Sequence, residues 1–523
     1  MRNLLNASLG GQRYWLFLLL LLLLLVVYLP LLSAGFYSDD WTFLAWSRHG
    51  DGPLGFFVYD HSFTYMYRPV AMTSWWSVTQ LAGLEAHWHY LFAILLHVGS
   101  VLLGVLWLRR QGVSWVLQML ALAALLAHPT SGATVAWLAD RFDLMMSFGV
   151  MLGLFSLSYL EVRPQQASIG VLLALLIAIG SKETGLILVP IALSTLLICD
   201  LSIKRRVILA GSILLLTLIY FIARKLVLGS LGGITSGGGV IQAFLKGAWL
   251  WFGQLPQAFA GQGMPVWLGA GLLLVLLLGL LGFAFTASWR QRLLVLQLLF
   301  VVAGLALLQA PVTQIVLDQA EPFRSVVNYR FYYLAVMALV LLSAYLLHVL
   351  TVSNKLGWYQ PAPVVLALPL IVAWVSLGFV GTKAWAGWTG AEARDRVLMA
   401  VKETLQAPEL IAISQLSETC LVRLTGAADK HTDMHGYSDL MVKAHIRRDS
   451  PLVDCVFASE KEPWKAISLW QSEQDASYQN GLSQNRSDSY RSGRLALHTK
   501  LSKDAHHWAW KSYQYQNQKF IAE

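Results

Sequence analysis

The chain has 523 residues, 56% of them hydrophobic and only 13% charged. A soluble domain carries about 25% charged residues, so most of this chain belongs in lipid and a wholly soluble protein is excluded. The formal charge is +9, but the basic residues lie scattered at the ends of apolar runs, which points to membrane lipids and away from nucleic acid as a partner.

Runs of about 17–25 apolar residues mark spanning helices. About eleven are expected, near 14–33, 90–108, 113–127, 144–160, 167–181, 186–199, 207–228, 265–286, 293–310, 331–349 and 362–382. The first, from Trp15 to Leu32, is too long for a signal-peptide core and has no convincing small-residue cleavage site, so it reads as a retained helix. The runs at 113–127, 167–181 and 186–199 are short, as tilted or broken helices would be. Val240 to Phe259 is apolar but interrupted by Lys246, Gln254 and Pro256, the pattern of an interfacial helix. The segment LGGITSGGG at 231–239 reads as a loop and not a phosphate cradle, since no Lys-Ser/Thr follows it.

Charge sets the expected orientation. With the N-terminus inside, the inside connections hold Arg109, Arg110, Arg163, Lys204, Arg205, Arg206, Arg290, Arg292 and Lys355, with Glu161 and Asp200 as their acids. The outside connections receive Asp39, Asp40, Asp51, Asp60, Glu85, Asp140, Asp143, Glu183, Asp318 and Glu321. An odd number of spans then places the C-terminus outside. From Lys383 the composition turns polar, and the remaining stretch of about 140 residues is long enough for a domain. The expected fold is a polytopic α-helical membrane domain over 1–382 and a soluble α/β or α+β domain over 383–523. Cys420 and Cys455 in that domain suit either a disulfide in an oxidising compartment or two buried thiols.

The conspicuous polar clusters all fall on the expected outside face: SDDW (38–41), YRP (67–69), HPTSGATVAWLADRFDL (128–144), SKETG (181–185) and EPFRSVVNYRFYY (321–333). Charges at membrane depth are expensive and functional by default. A carboxylate there can serve as a general base, and Arg and Lys suit an anionic phosphate, Arg as a fork and Lys as a point charge. Each motif also has a plainer reading. Asp39-Asp40 can be a polar helix end, His128-Pro129 a loop start, His97 a packed histidine, and Lys182-Glu183 a local ion pair. His87 and His89 lack metal-ligand spacing, and the HxxxH of KHTDMHGYSD, with His431, Asp433, His435 and Tyr437, has no clear helix to hold it. HHWAWKSYQY near the end can stack on sugar rings or pack in a β-type core, and packing is the preferred reading.

Taken in order, these pieces resemble the GT-C superfamily of membrane glycosyltransferases, most nearly the transmembrane O-mannosyltransferase (TMTC) type and its bacterial relatives. The resemblance covers roughly 14–350. It lies in the aspartate pair after the first helix, in YRPVAMTSWWSVTQLAGLEAHWHYLFAILLHVGSVLL, in HPTSGATVAWLADRFDLM, in SKETG, and in NYRFYYL, which is similar to the family's ERYLYLP. The chain departs from the pattern where Asn328 or Tyr329 replaces Glu, where Ala335 replaces Pro, and in lacking tetratricopeptide repeats.

The resemblance implies a polyprenyl- or dolichyl-phosphate monosaccharide as donor, entering from the outer leaflet, and inversion at the anomeric carbon. Asp40 or Asp39 would deprotonate the acceptor hydroxyl, and Arg330, Lys182, Arg141 and Arg68 would hold the donor phosphate. Glu183, His128, Tyr332 and Tyr333 would contact donor or acceptor. No metal ligands are assigned; Mg²⁺ or Mn²⁺ at the aspartate pair is the conceivable cofactor. The acceptor would be a protein, an O-antigen or another lipid-borne glycan. The compact loops and the missing repeats point to a bacterial inner membrane, and the charge pattern to an N-terminus in the cytoplasm and a C-terminus in the periplasm. A lipid-linked-sugar flippase would instead set its ionisable residues midway along helices around a central cavity. A lipid-linked-glycan polymerase or ligase is the other alternative.

Overall fold

The structure is a computed structural model. It describes residues 15, 17–36, 40, 43, 52–58, 66–83, 85–229, 240–261, 263–317, 330–353 and 362–389, and in the C-terminal region 457–458, 466–470, 494–500, 508–516 and 519–522. The chain divides into two compact units. One comprises Met1–Leu31, Asp51–Ser74 and His89–Lys383, the other Leu32–Gly50, Trp75–Trp88 and Ala384–Glu523.

The helices, in chain order, are α1 (Phe17–Ser33), α2 (Pro69–Ala82), α3 (Ala86–Arg110), α4 (Trp115–Ala127), α5 (Pro129–Ala136), α6 (Arg141–Leu157), α7 (Pro164–Ser181), α8 (Leu188–Ile198), α9 (Ile203–Leu228), α10 (Val240–Ala260), α11 (Val266–Thr286), α12 (Trp289–Leu317), α13 (Tyr333–Ser353) and α14 (Ala362–Thr389). Among the described residues, seven helices are long and apolar enough to cross a membrane, or eight if the bent pair α4–α5 is one span. The chain is therefore a polytopic helical membrane protein. Of the expected runs, 14–33 and 186–199 correspond to shorter apolar helices, Phe17–Ser33 and Glu183–Ile198. The expected interfacial segment forms α10, a single helix that keeps Pro256 inside it.

The bend between α4 and α5 is 46°, and its cause is local. Pro129 has no N–H to continue the α4 ladder, and it forces His128 into an extended conformation with ψ 129°. The new helix starts there, its first turn capped as His128 Nδ1 accepts from the Thr130 amide at 3.2 Å.

Two features of packing matter for the site. Helices α6 and α7 approach so closely that a Cβ on Gly149 would stand 2.7 Å from the Ala178 amide nitrogen and 2.8 Å from the Ala174 carbonyl oxygen. Only glycine permits that approach. Second, α13 is largely enclosed by protein, whereas α9 and α11 leave most of their apolar surface outward, with Leu214, Leu218, Ile222, Leu274 and Leu278 exposed. In a bilayer those exposed faces meet hydrocarbon. The last helix closes on the first: the Thr382 hydroxyl donates to the Val27 carbonyl at 2.6 Å.

In the second unit the described strands are β1 (Phe457–Ala458), β2 (Ala466–Trp470), β3 (Arg494–Lys500), β4 (Trp508–Gln516) and β5 (Lys519–Ala522). They form one sheet in the order β1-β2-β3-β4-β5, each pair antiparallel, with Leu469 opposite Leu497 and His498 opposite Trp510. The aromatic segment at 508–516 is thus a strand, as its composition favours. The helical part of the expected α/β or α+β domain lies outside the described residues, as do Cys420, Cys455 and the His431–Tyr437 cluster.

Candidate functional site

The first unit gathers charged side chains from five separate stretches of sequence into one network. Lys182, in the break after α7, donates to both carboxylate oxygens of Asp143 at 2.6 and 2.7 Å. Asp143 stands in the first turn of α6, and the close approach at Gly149 is what brings the α7 end to it. Glu183 does not pair with its neighbour Lys182. It bridges two arginines, accepting from Arg68 Nη2 at 3.1 Å on one oxygen and from Arg224 Nη1 at 2.9 Å on the other. Arg224 Nη1 also donates to the Tyr220 hydroxyl at 3.2 Å.

Arg330, at the entry to α13, donates to Asp140 at 3.1 Å. Its guanidinium lies over the rings of Trp137 and Phe331, 4.6 and 4.9 Å from their centroids. Lys182 lies 5.3 Å from the same Phe331 ring, which places the two cations on one aromatic wall. Arg141, between the two aspartates in sequence, is fully buried. It donates to His89 Nδ1 at 3.0 Å and sits over Phe92.

Among the described residues the tally is five cations and three carboxylates: Arg68, Lys182, Arg224 and Arg330 pair with Asp140, Asp143 and Glu183, and Arg141 adjoins them in sequence and pairs with His89. A net positive charge in a low-dielectric setting attracts an anion strongly. The side chains of Arg68, Arg330 and Glu183 are 15%, 20% and 29% exposed against 6% for Asp143, so these three line the open side. The Arg330 Nε and Trp137 Nε1 donors and the hydroxyls of Ser147, Ser181 and Thr184 are buried without a hydrogen-bond partner among the described residues. Buried unpartnered donors are costly, and two of them lie together, the Arg330 guanidinium being stacked over the Trp137 ring.

Electrostatics at the edge of the network follow from burial. Asp140 is pushed up to about 7 by desolvation, with Arg330 opposing and the neighbouring Asp143 adding to the rise. Desolvation pushes the Lys182 ammonium downward, and its pairing with Asp143 opposes this.

The other expected site residues are placed differently. Asp40 is fully buried and belongs to the second unit, where Phe43 lies tilted against Trp75 at 5.8 Å. Asp39, Asp51, Asp60 and residues 321–329 lie outside the described residues. His128 uses both ring nitrogens within the protein, Nδ1 at the Thr130 cap and Nε2 at 3.2 Å from the Phe259 carbonyl. Its ring rests against Trp374. Tyr332 stacks on Trp251 at 4.6 Å and donates to the Trp251 carbonyl at 2.8 Å.

Tyr333 meets His97 Nδ1 at 2.7 Å. Tyr28 lies at 2.9 Å from His97 Nε2 and gives its own proton to the Leu126 carbonyl. Nε2 therefore donates to Tyr28, and Nδ1 accepts from Tyr333. His97 is the packed histidine its sequence setting suggested, and it joins α1, α3 and α13.

Sequence reasoning missed Arg224, Asp140, Asp143 and His89 as members of the network. Arg224 carried the clearest signal, an arginine that with Lys225 interrupts the apolar run FIARKLVL. For a divalent cation the donor set is unsuitable: the three carboxylates already face five cations, and among the described residues no group of three His, Cys, Asp or Glu could hold a metal.

No protein-family model and no curated protein matches the chain. Among solved structures it is similar to the Archaeoglobus fulgidus oligosaccharyltransferase tethered with an acceptor peptide containing the NVT sequon, at 14% identity and a TM-score of 0.41. The match covers 75% of this chain, which spans 57% of that protein's length. A likeness of this degree establishes neither fold family nor activity.

Proposed function

We propose that the protein is an inverting GT-C-type glycosyltransferase that moves a single sugar from a polyprenyl-phosphate donor to a protein or glycan acceptor on the extracytoplasmic side of the membrane. The observation that carries this reading is the net-positive network at the ends of apolar helices, with unpartnered buried donors around it. Lipid phosphate is the leaving group, and preorganised cations stabilise the charge that develops on it. Arg330 and Arg68, on the open side, contact that phosphate; Lys182 and Arg141 add charge from behind. Glu183 fixes Arg68 and Arg224 in place. Asp40 or Asp39 takes the proton of the acceptor hydroxyl. The orientation proposed is N-terminus cytoplasmic, with residues 383–523 as a periplasmic domain of a bacterial inner-membrane protein.

The test is transfer by the full chain in vesicles supplied with a panel of synthetic polyprenyl-phosphate monosaccharides. The product would be read by mass spectrometry of the surface glycoconjugates of the source organism. A single-sugar increment made by the intact chain and lost in Asp39→Asn/Asp40→Asn, with donor binding retained, is the expected result. Full turnover in the double variant would remove the aspartates from the chemistry. Movement of the lipid-linked sugar across the bilayer without transfer would establish the flippase instead.

A further inference from the structure

The opposite end of α3 from the network carries a second basic site. His89, which meets Arg141, and Arg110 lie at the two ends of one continuous helix, roughly 30 Å apart at about 1.5 Å per residue, which is one hydrocarbon thickness. Helix α6 makes the same journey, from Arg141 and Asp143 to Ser158 and Tyr159 just beyond its end. Between these two ends lies a cavity of about 430 Å³ lined by Leu106, Arg109, Arg110 and Tyr159.

The arginines are held unequally. Arg110 is seated with its guanidinium 4.9 Å over the Tyr159 ring, and its Nε donates to the Ser158 carbonyl at 3.1 Å. Its Nη1 and Nη2 have no hydrogen bond among the described residues. Arg109 stands beside it, exposed and without an acidic partner among the described residues. Of the two acids at this end, Glu161 and Asp200, Glu161 is engaged by the Asp200 amide and by Arg290. Leu106, one turn back from Arg109 and Arg110, is 40% exposed, and Val162 beyond Tyr159 is 58% exposed. The surface is therefore cationic at its mouth and apolar on the side that runs along the helices.

We infer that this cavity is a binding site for an anionic glycerophospholipid, its phosphate held between Arg109 and Arg110 and its acyl chain laid along Leu106. A basic concavity between helices at a membrane interface suits such headgroups, and a guanidinium pair meets a phosphate oxygen pair better than scattered charge does. A soluble anion would have no use for the exposed leucine. A zwitterionic lipid brings an ammonium that the two arginines repel. The site is independent of the transferase reading, since it sits a bilayer away from the network.

The experiment uses the full chain, delipidated and titrated in nanodiscs of phosphatidylcholine with rising phosphatidylglycerol, following thermal unfolding by tryptophan fluorescence. Phosphatidylglycerol is expected to raise Tm saturably, and Arg109→Gln/Arg110→Gln to raise the half-saturating fraction tenfold or more. Tyr159→Leu, which removes the seat of Arg110 but no charge, is expected to weaken binding at least threefold. Lys204→Gln/Arg205→Gln, at the start of α9, is expected to bind as the parent does. Equal stabilisation by phosphatidylcholine alone, or the same shift with inorganic phosphate, would overturn the inference. Equal losses in the Lys204/Arg205 pair would reduce it to diffuse surface charge. Should the glutamine pair fail to insert, Arg109→Lys/Arg110→Lys keeps the charge and loses the guanidinium fork; unchanged affinity there would equally defeat it.

Discussion

At the scale of single residues, Lys182 and Asp143 show how a buried ion pair can be separated from a functional one. Removing one partner strands the other in a dry site and costs about 3–5 kcal/mol, while replacing both by apolar groups of similar volume is close to neutral. Lys182→Met is therefore expected to lower Tm sharply, and Lys182→Met/Asp143→Leu to restore it without restoring transfer, measured by thermal unfolding and turnover on the same preparations. A double variant that regains turnover would make the pair purely structural. Arg330→Ala is expected to weaken binding of the polyprenyl-phosphate donor about tenfold or more, through loss of a charge-assisted contact. Asp140 gives the site a pH response. Because burial raises its folded pKa to about 7, it is neutral below that pH and leaves Arg330 uncompensated. Above it, the carboxylate offsets Arg330. Affinity for the phosphodiester-linked donor, which does not itself titrate in this range, should fall as pH rises through about 7, and Asp140→Asn should flatten the profile, read by direct binding of a polyprenyl-phosphate monosaccharide.

At the scale of elements, the network depends on how closely two helices lie. Gly149 lets α6 contact the backbone of α7 near Ala174 and Ala178, and the aligned helix ends then hold Asp143 against Lys182. Gly149→Leu must push the helices apart. It is expected to cost about 1–3 kcal/mol, as overpacking does, and to weaken donor binding although residue 149 touches no ligand. Retained binding together with lowered Tm would show that the network does not need this spacing. The bend at His128-Pro129 has a comparable local origin, and there the structure gives His128 the work of a helix cap.

Across the first unit, the charges that pair among the described residues sort to the two ends of the helices. Arg68, Asp140, Asp143, Lys182, Glu183, Arg224 and Arg330 meet at one end, and Arg110, Glu161, Asp200 and Arg290 at the other. The proposed orientation predicts opposite labelling of two engineered cysteines in a background with the native cysteines replaced. Ser202→Cys should react with a membrane-impermeant maleimide only from the cytoplasmic side, and Glu85→Cys only from the other. Labelling of both from one side would break the topology.

Much of this was legible in the chain itself. The length and apolarity of the runs determined that the protein is polytopic and helical: only helices and closed barrels satisfy backbone polar groups in hydrocarbon, and continuous apolar runs of this length fit helices. The polar stretches between the runs singled out Arg68, Lys182, Glu183 and Arg330, which the structure brings into one charged network. Partners were not legible. Glu183 adjoins Lys182 in sequence yet pairs with Arg68 and Arg224, the latter 41 residues away, and Arg330 finds Asp140 across 190 residues. Nor did sequence show that the polar atoms of His97, Tyr332 and Tyr333 join one helix to another. Those assignments depend on which helix faces which, and close packing between distant segments decides that.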